Sequence, residues 1–389
     1  MTLILSGPKL YAEQGVMTEA AVAIQDGVIQ AIGTLDALQK RQSAEVLSFP
    51  FGYHLIPGFI DMHVHGANGH DVMDANAEAL TAISQALAAE GTTAFLATTM
   101  TAEVSQIEKA LSAVRDFMQA ADEKKGAAIL GVHLEGPFLS PEKMGAQRGD
   151  KILSPDVKLM QHWQALSDQI VRLVTLAPEQ PNSAALIQYL KQQKIIPSIG
   201  HTNATYAETV EAIASGCCHA THLFNAMRGI QQREPGTVTA ALLADDVMVE
   251  LIVDGVHLHP AIVKLVLKTK GKDKIVLVTD AMRAKCLGDG CYDLGGQTVH
   301  VKSGQAQLAD GTIAGSVLPM SSAIQNMLKF TGCELSDAVQ MASENPAKAL
   351  GLFHKKGSIA LQKDADLVVL DEALNVVLTL CRGKISYQR

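Results

Sequence analysis

Apolar residues in the middle of this chain gather into compact runs of strand length, separated by longer stretches of helical period. Eight runs stand out: LIPGFIDMHVHG (55–66), TTAFLATTM (92–100), AAILGVHLEGPF (127–138), VRLVTLAPE (171–179), IIPSIGHT (195–202), CCHATHLFNAM (217–227), VMVELIVDGVH (247–257) and KIVLVTDAM (274–282). Segments 77–90, 102–121, 185–194, 205–215 and 260–270 between them are predicted helices. Near-continuous apolar strands fit a parallel sheet covered on both faces, and eight strand–helix alternations predict an α/β fold of the (β/α)8 TIM-barrel type. An open doubly wound sheet is the alternative. Nearly every run ends in His, Glu, Asp, Asn or Thr; a barrel gathers those ends at one mouth, whereas an open sheet spreads them along an edge.

The ends of the chain have another rhythm. LILSGPKLY and AVAIQDGVIQAIG read as short strands, with Asp26-Gly27 as a hairpin turn. Residues 357–389 alternate apolar and polar positions and hold no helix-length stretch. Head and tail (1–54 with 355–389) are therefore expected to share a small β domain flanking a barrel over 55–354.

At 389 residues, 48% hydrophobic and 19% charged, the composition is that of a globular chain with a sizeable core. The formal charge of −8 with no basic block argues against a nucleic-acid partner. No apolar run is long enough to suggest a membrane span. Six scattered cysteines, read as reduced, and a start that does not resemble a signal peptide lead to the expectation of a cytoplasmic protein. No GxGxxG or GxxxxGK[ST] loop follows a strand, which weakens dinucleotide and NTPase readings.

His63 and His65, two apart on the first run, share a strand face. Alone, such a pair is more often structural than ligating. Its company changes this: Glu135, His201, His222 and Asp280 end four other runs at equivalent places. One carboxylate and two imidazoles suit a divalent metal of the zinc or iron kind, with room for a second ion on His63 and His65. His133, two before Glu135, is expected one layer deeper. His219, three before His222, is expected on the opposite face of its strand. Cys286 and Cys291 form only a weak zinc signal, because no second pair of thiols accompanies them. The bland readings are a helix cap for Asp280 and a surface ion pair for Arg233.

With these residues in place the chain resembles the amidohydrolase superfamily and, within it, the deacetylases of N-acetylglucosamine 6-phosphate. The resemblance spans nearly the whole chain through PGFIDMHVHG, HLEGPF, GHTNA, THLFNAM followed by REPG, VDGVH, LVTDAM, GTIAGS, NPAKALGL and KGSIALQKDADLVVLD. It implies a barrel with a β-sandwich built from both chain ends. Glu135, His201 and His222 would hold the catalytic metal, and Asp280 would be the general base. His63 and His65 mark the variety able to bind two ions, with Zn2+ the expected metal and Fe2+, Ni2+, Co2+ or Mn2+ the alternatives. His257 would contact the sugar; Asn225, the Ala226 amide and Arg233 would hold the 6-phosphate, with the arginine crossing from a neighbouring subunit in a homodimer. Ile313, Ala314 and Gly315 would close over the ligand. Where some relatives place a polarising histidine, this chain reads Gly145-Ala146-Gln147-Arg148, so Gln147 supplies a hydrogen bond without charge and a second ion would supply the missing polarisation.

The resemblance implies hydrolysis of the acetamide to acetate and an amino-sugar phosphate, in amino-sugar catabolism. Asp280 would take a proton from the attacking water and pass it to the leaving amine. The galactosamine epimer is one alternative substrate, and another small or cyclic amide is a second. A non-catalytic scaffold would have lost Asp280 or a ligand, and none is lost.

Overall fold

The computed structural model describes residues 2–40, 43–120 and 126–389. Every one of the eight apolar runs contains a strand: Phe59–Val64, Thr92–Thr99, Ala128–Glu135, Val171–Leu176, Ile196–Ile199, His219–Ala220, Met248–Leu251 and Ile275–Leu277. Each lies parallel to the next in chain order. A parallel bridge between Val64 and Ala281 closes the ring, with the Asp280 amide donating to His63 O (2.8 Å) and the His65 amide to Ala281 O (2.9 Å). That seam excludes the open sheet and sets three candidate site residues side by side.

Helices Ala77–Ala88, Val104–Gln119, Ser183–Gln192, Tyr206–Ser215 and Pro260–Lys270 fill the predicted segments. The expected end of the second at Ala121 lies outside the described residues. Thr205 and Glu208 form a reciprocal cap at the start of Tyr206–Ser215, satisfying amides that the first turn leaves open. Helix Gly236–Leu243 escapes a periodicity search because it is buried nearly all round and has no polar face.

Head and tail share one six-stranded sheet, in the order Lys384–Gln388, Val376–Cys381, Leu367–Leu370, His54–Pro57, Lys9–Ala12, Gly15–Met17. A second sheet holds Val28–Gly33, Ala21–Gln25, Thr2–Ser6 and Ala44–Ser48. Leu5, Val22, Ile24, Leu55, Leu367 and Leu378 belong to one buried cluster that unites strands of both sheets. Asp26 and Gly27 both have positive φ (51° and 81°), as the tight turn between antiparallel strands requires. An antiparallel insert not anticipated from the sequence, Gly290–Leu294, Gln297–Lys302 and Gln305–Gln307, follows the eighth barrel strand. Its Leu294, Val299 and Ala306 cluster with Met100, Met282 and Ala314 beside the mouth.

Candidate metal centre

Strand ends bring the predicted ligands together in two groups, Glu135 with His201 and His222, and His63 with His65 and Asp280, the candidate ligand atoms in each lying within 4.8 Å of one another. Glu135 joins the groups. Its Oε1 lies 3.1 Å from His201 Nε2, 2.9 Å from His222 Nε2 and 3.3 Å from His63 Nε2, while Oε2 lies 3.1 Å from His65 Nε2. Asp280 Oδ1 is 3.3 Å from His63 Nε2 and 3.2 Å from His65 Nε2. His201, His222 and Asp280 all have positive φ (47°, 31° and 48°). Such left-handed backbone is costly for a side chain with a Cβ and is held only where the surrounding structure imposes it. Here it turns each residue just past its strand. No helix starts at Asp280; the next begins at Met320, which excludes the cap reading.

Proton positions follow from the outer nitrogens. His201 Nδ1 faces Lys143 O at 3.0 Å, and a carbonyl only accepts, so this nitrogen carries the proton and Nε2 presents a lone pair. His63 Nδ1 faces Glu250 Oε2 at 3.1 Å, with the same result. The Nε2 atoms of His201 and His222 then meet at 3.1 Å beside Glu135, and fully buried His63 Nε2 has no hydrogen-bond partner. Lone pairs converging on a buried carboxylate call for positive charge among them, and the donor set of imidazole nitrogen and carboxylate oxygen suits a divalent metal. The residues fit the ion. Burial opposes a charge on His63, yet Glu135 and Asp280 raise its pKa well above the ordinary value, and hydrogen bonds to Asp280 and Glu135 overcome the same burial to lift His65 to about 9. Burial likewise pushes Glu135 up, but His63 and the other imidazoles hold it well below its usual range. A divalent metal at these groups would take the place of those protons.

A cavity of about 230 Å3 opens above the two groups. Its wall includes Ala146, Gln147, Asn225, Ala226, His257, Ile313 and Gly315 of the expected substrate contacts, with Met100, Leu294 and Thr312. Ala314 does not reach it, because its side chain packs into the cluster under the insert. Arg233 is exposed and absent from the wall. Gln147 is committed elsewhere than expected: its amide donates to Glu135 Oε2 at 2.7 Å and its oxygen accepts from the Thr101 amide at 2.8 Å. His133 sits one layer down as expected, between Thr175 Oγ1 (2.7 Å) and Thr98 Oγ1 (3.4 Å). Cys291 lies 3.3 Å from His300, and Cys286 lies by Glu90.

His219 departs from its expected placing. It points into the barrel, its Nε2 3.1 Å from Glu250 Oε1, because its strand is only two residues long and alternation ends before His222. Glu250 itself was missed. So was Asp254, whose carboxylate accepts from His257 Nδ1 at 2.6 Å and from the Val256 and His257 amides. Burial raises Asp254, but that hydrogen bond and the charge beside it lower its pKa overall. A glutamate inside VMVELIV was the available signal, since a charge in a buried strand needs a partner.

The amidohydrolase family profile matches residues 54–386. The chain belongs to the amidohydrolase family. Among its relatives, N-acetylglucosamine-6-phosphate deacetylase of Bacillus subtilis (strain 168) is 43% identical over 99% of this chain and 97% of that one. N-acetylgalactosamine-6-phosphate deacetylase of Escherichia coli O157:H7 is 36% identical over 99% and 100%. A solved structure of an aspartate-to-alanine mutant of the Mycobacterium smegmatis N-acetyl-D-glucosamine-6-phosphate deacetylase, in complex with N-acetyl-D-glucosamine-6-phosphate, superposes with a TM-score of 0.91 at 33% identity, covering 100% of this chain and 99% of that one. This amidohydrolase thus shares its TIM-type barrel and flanking β domain with them.

Proposed function

We propose that this amidohydrolase hydrolyses the N-acetyl group of N-acetylglucosamine 6-phosphate to glucosamine 6-phosphate and acetate. The observation that carries the reading is the convergence of both ligand groups on Glu135 at the floor of a cavity walled by His257, Asn225 and Ala226. Glu135, His201 and His222 would hold a divalent cation, for which Zn2+ suits the donor set, and His63 and His65 a second. Such an ion supplies Lewis acidity and lowers the pKa of water to about 7.

The protein's own groups do the rest. Among the described residues Asp280 is the only acid on the cavity wall besides Glu135, and Glu135 is surrounded by imidazoles and Gln147. Asp280 accepts the proton of the attacking water and returns it to the amine, which would otherwise leave as an unstable anion. Asp254 accepts from His257 Nδ1, which fixes the tautomer and aims Nε2 at the sugar. Among the described residues the Ala226 amide has no partner, and with Asn225 it offers donors to the 6-phosphate. An exposed Arg233 off the cavity of its own subunit supports a homodimer in which the arginine forks the phosphate of its neighbour. The six free cysteines support a cytoplasmic setting.

Acetate release from N-acetylglucosamine 6-phosphate and from its galacto epimer, on metal-stripped protein with and without Zn2+, tests the reading. Zinc-dependent release, faster from the gluco substrate, is expected. Faster galacto turnover would transfer the assignment to the epimer, and no release from metal-loaded protein would refute it.

A further inference from the structure

Behind the two ligand groups lies Glu250, a fully buried carboxylate on strand Met248–Leu251. Its Oε2 takes His63 Nδ1 and the backbone amide of His222, both at 3.1 Å, and its Oε1 takes His219 Nε2 at 3.1 Å. Its own backbone carbonyl accepts the Leu223 amide at 2.9 Å. One residue thus grips a side chain from one ligand group and the backbone of a ligand from the other.

A carboxylate in this place has chemical consequences that a neutral side chain would not. It accepts only, so it forces the proton of His63 onto Nδ1 and leaves Nε2 as the lone pair that faces Glu135 and Asp280. It also makes the imidazole a stronger donor toward a cation, as carboxylates behind ligating histidines do. His219 completes the set by occupying Oε1, so that neither oxygen of the buried carboxylate is left bare.

We propose that Glu250 is a positioning residue for the second cation, fixing His63 in its ligating tautomer and setting the occupancy of the His63–His65–Asp280 position relative to the Glu135–His201–His222 position. The inference rests on the two-cation reading above. Glu250 holds His222 only through the His222 backbone amide, which an amide oxygen at position 250 also accepts. Glu250→Gln therefore removes the charge from His63 while keeping the grip on the segment before Leu223.

The test is metal content at equilibrium across chelator-buffered free Zn2+, measured by elemental analysis on wild type, Glu250→Gln and His63→Asn, with the melting temperature recorded alongside. Wild type is expected to take two ions per subunit and His63→Asn one. Glu250→Gln is expected to need 10- to 100-fold more free Zn2+ to fill the second place, with the first ion's affinity unchanged, a selectivity that general loosening of the fold would not produce. Equal weakening of both ions, or no change, would overturn the role given to Glu250. A single ion in wild type that His63→Asn leaves untouched would overturn it from beneath, by removing the second site. Should Glu250→Gln fail to fold, Glu250→Asp, which keeps the charge but draws it away from His63, is expected to show the same selective loss, and unaltered second-ion affinity there would refute the proposal.

Discussion

Replacing Asp280 with Asn removes the proposed proton acceptor and, with it, one charged member of the His63–His65–Asp280 group, so turnover has to be compared at equal metal content. Asp280 meets His63 and His65 through Oδ1 alone, at 3.3 and 3.2 Å, and among the described residues Oδ2 has no partner. Asn has the same shape, so the seam from His63 O to the Asp280 amide and the cavity wall stay as they are. A positioned general acid–base group contributes about 10²- to 10⁴-fold, which corresponds to roughly 2.7–5.4 kcal/mol in the barrier. The loss is expected in kcat, with KM for the sugar phosphate within about threefold, because Asn225, Ala226 and His257 are untouched. Burial pushes the Asp280 carboxyl up, but the charge of His63 and the hydrogen bond from His65 bring its pKa below the ordinary value. The ionised base is present above that pKa and is lost as pH falls through it, so wild type should show no acid limb from Asp280 above about pH 4. The assay is steady-state acetate release from pH 5 to 9, with metal content measured on both proteins. If kcat of Asp280→Asn lies within tenfold of wild type at equal metal content, another group takes the proton and the assignment is wrong.

Removing metal with a chelator should abolish turnover, and restoring Zn2+ should bring back both activity and a higher urea midpoint. At a thousandfold excess of ion over its dissociation constant the added stability is about 4 kcal/mol, and an unchanged midpoint would mean that the lone pairs around Glu135 are satisfied without a cation. Arg233→Ala is expected to raise KM for the 6-phosphorylated sugar at least tenfold while leaving the unphosphorylated sugar unaffected. Mixed with catalytically dead Asp280→Asn subunits, it should regain affinity only if the arginine crosses between subunits. Lys270, buried and bonded to Ala241 O and Ala244 O, has its pKa lowered to about 8 by burial. Between pH 8 and the unfolded value near 10.4 the unfolded chain therefore binds more protons than the folded one, and stability should rise with pH. Lys270→Met should flatten that slope in thermal melts, and an equal slope in both proteins would refute the assignment.

The barrel was legible because its signal is redundant: eight apolar runs, each with a chemically marked end, constrain one another. Asp26-Gly27 was legible for the opposite reason, since two residues alone demand positive φ. Glu135 with His201 and His222, and His63 with His65, could be read as two sets from the same strand ends, but that Asp280 joins the second set and Glu135 reaches both could not, because these contacts depend on the closure of Val64 on Ala281. His219 shows where the alternation rule stops. A strand of two residues followed by a left-handed His222 has no faces to alternate between, so counting back by three gave the wrong side.

Glu250 was hidden by a different habit of reading, which treats strand interiors as packing and strand ends as chemistry. Ionised carboxylates are rarely fully buried without compensation. A lone glutamate in VMVELIV therefore already requires that something positive or hydrogen-donating lie inside the barrel at that height. His63, His219 and the His222 backbone amide meet that demand. Burial raises the Glu250 pKa, but hydrogen bonds from His219 and His63 hold it well below the ordinary value. The cost of burying the charge is thus met by groups that the site needs in fixed orientation anyway. A charge inside the barrel, within a strand and not at its end, grips a side chain of one ligand group and the backbone of the other from behind, while Glu135 at its strand end meets both groups from the front.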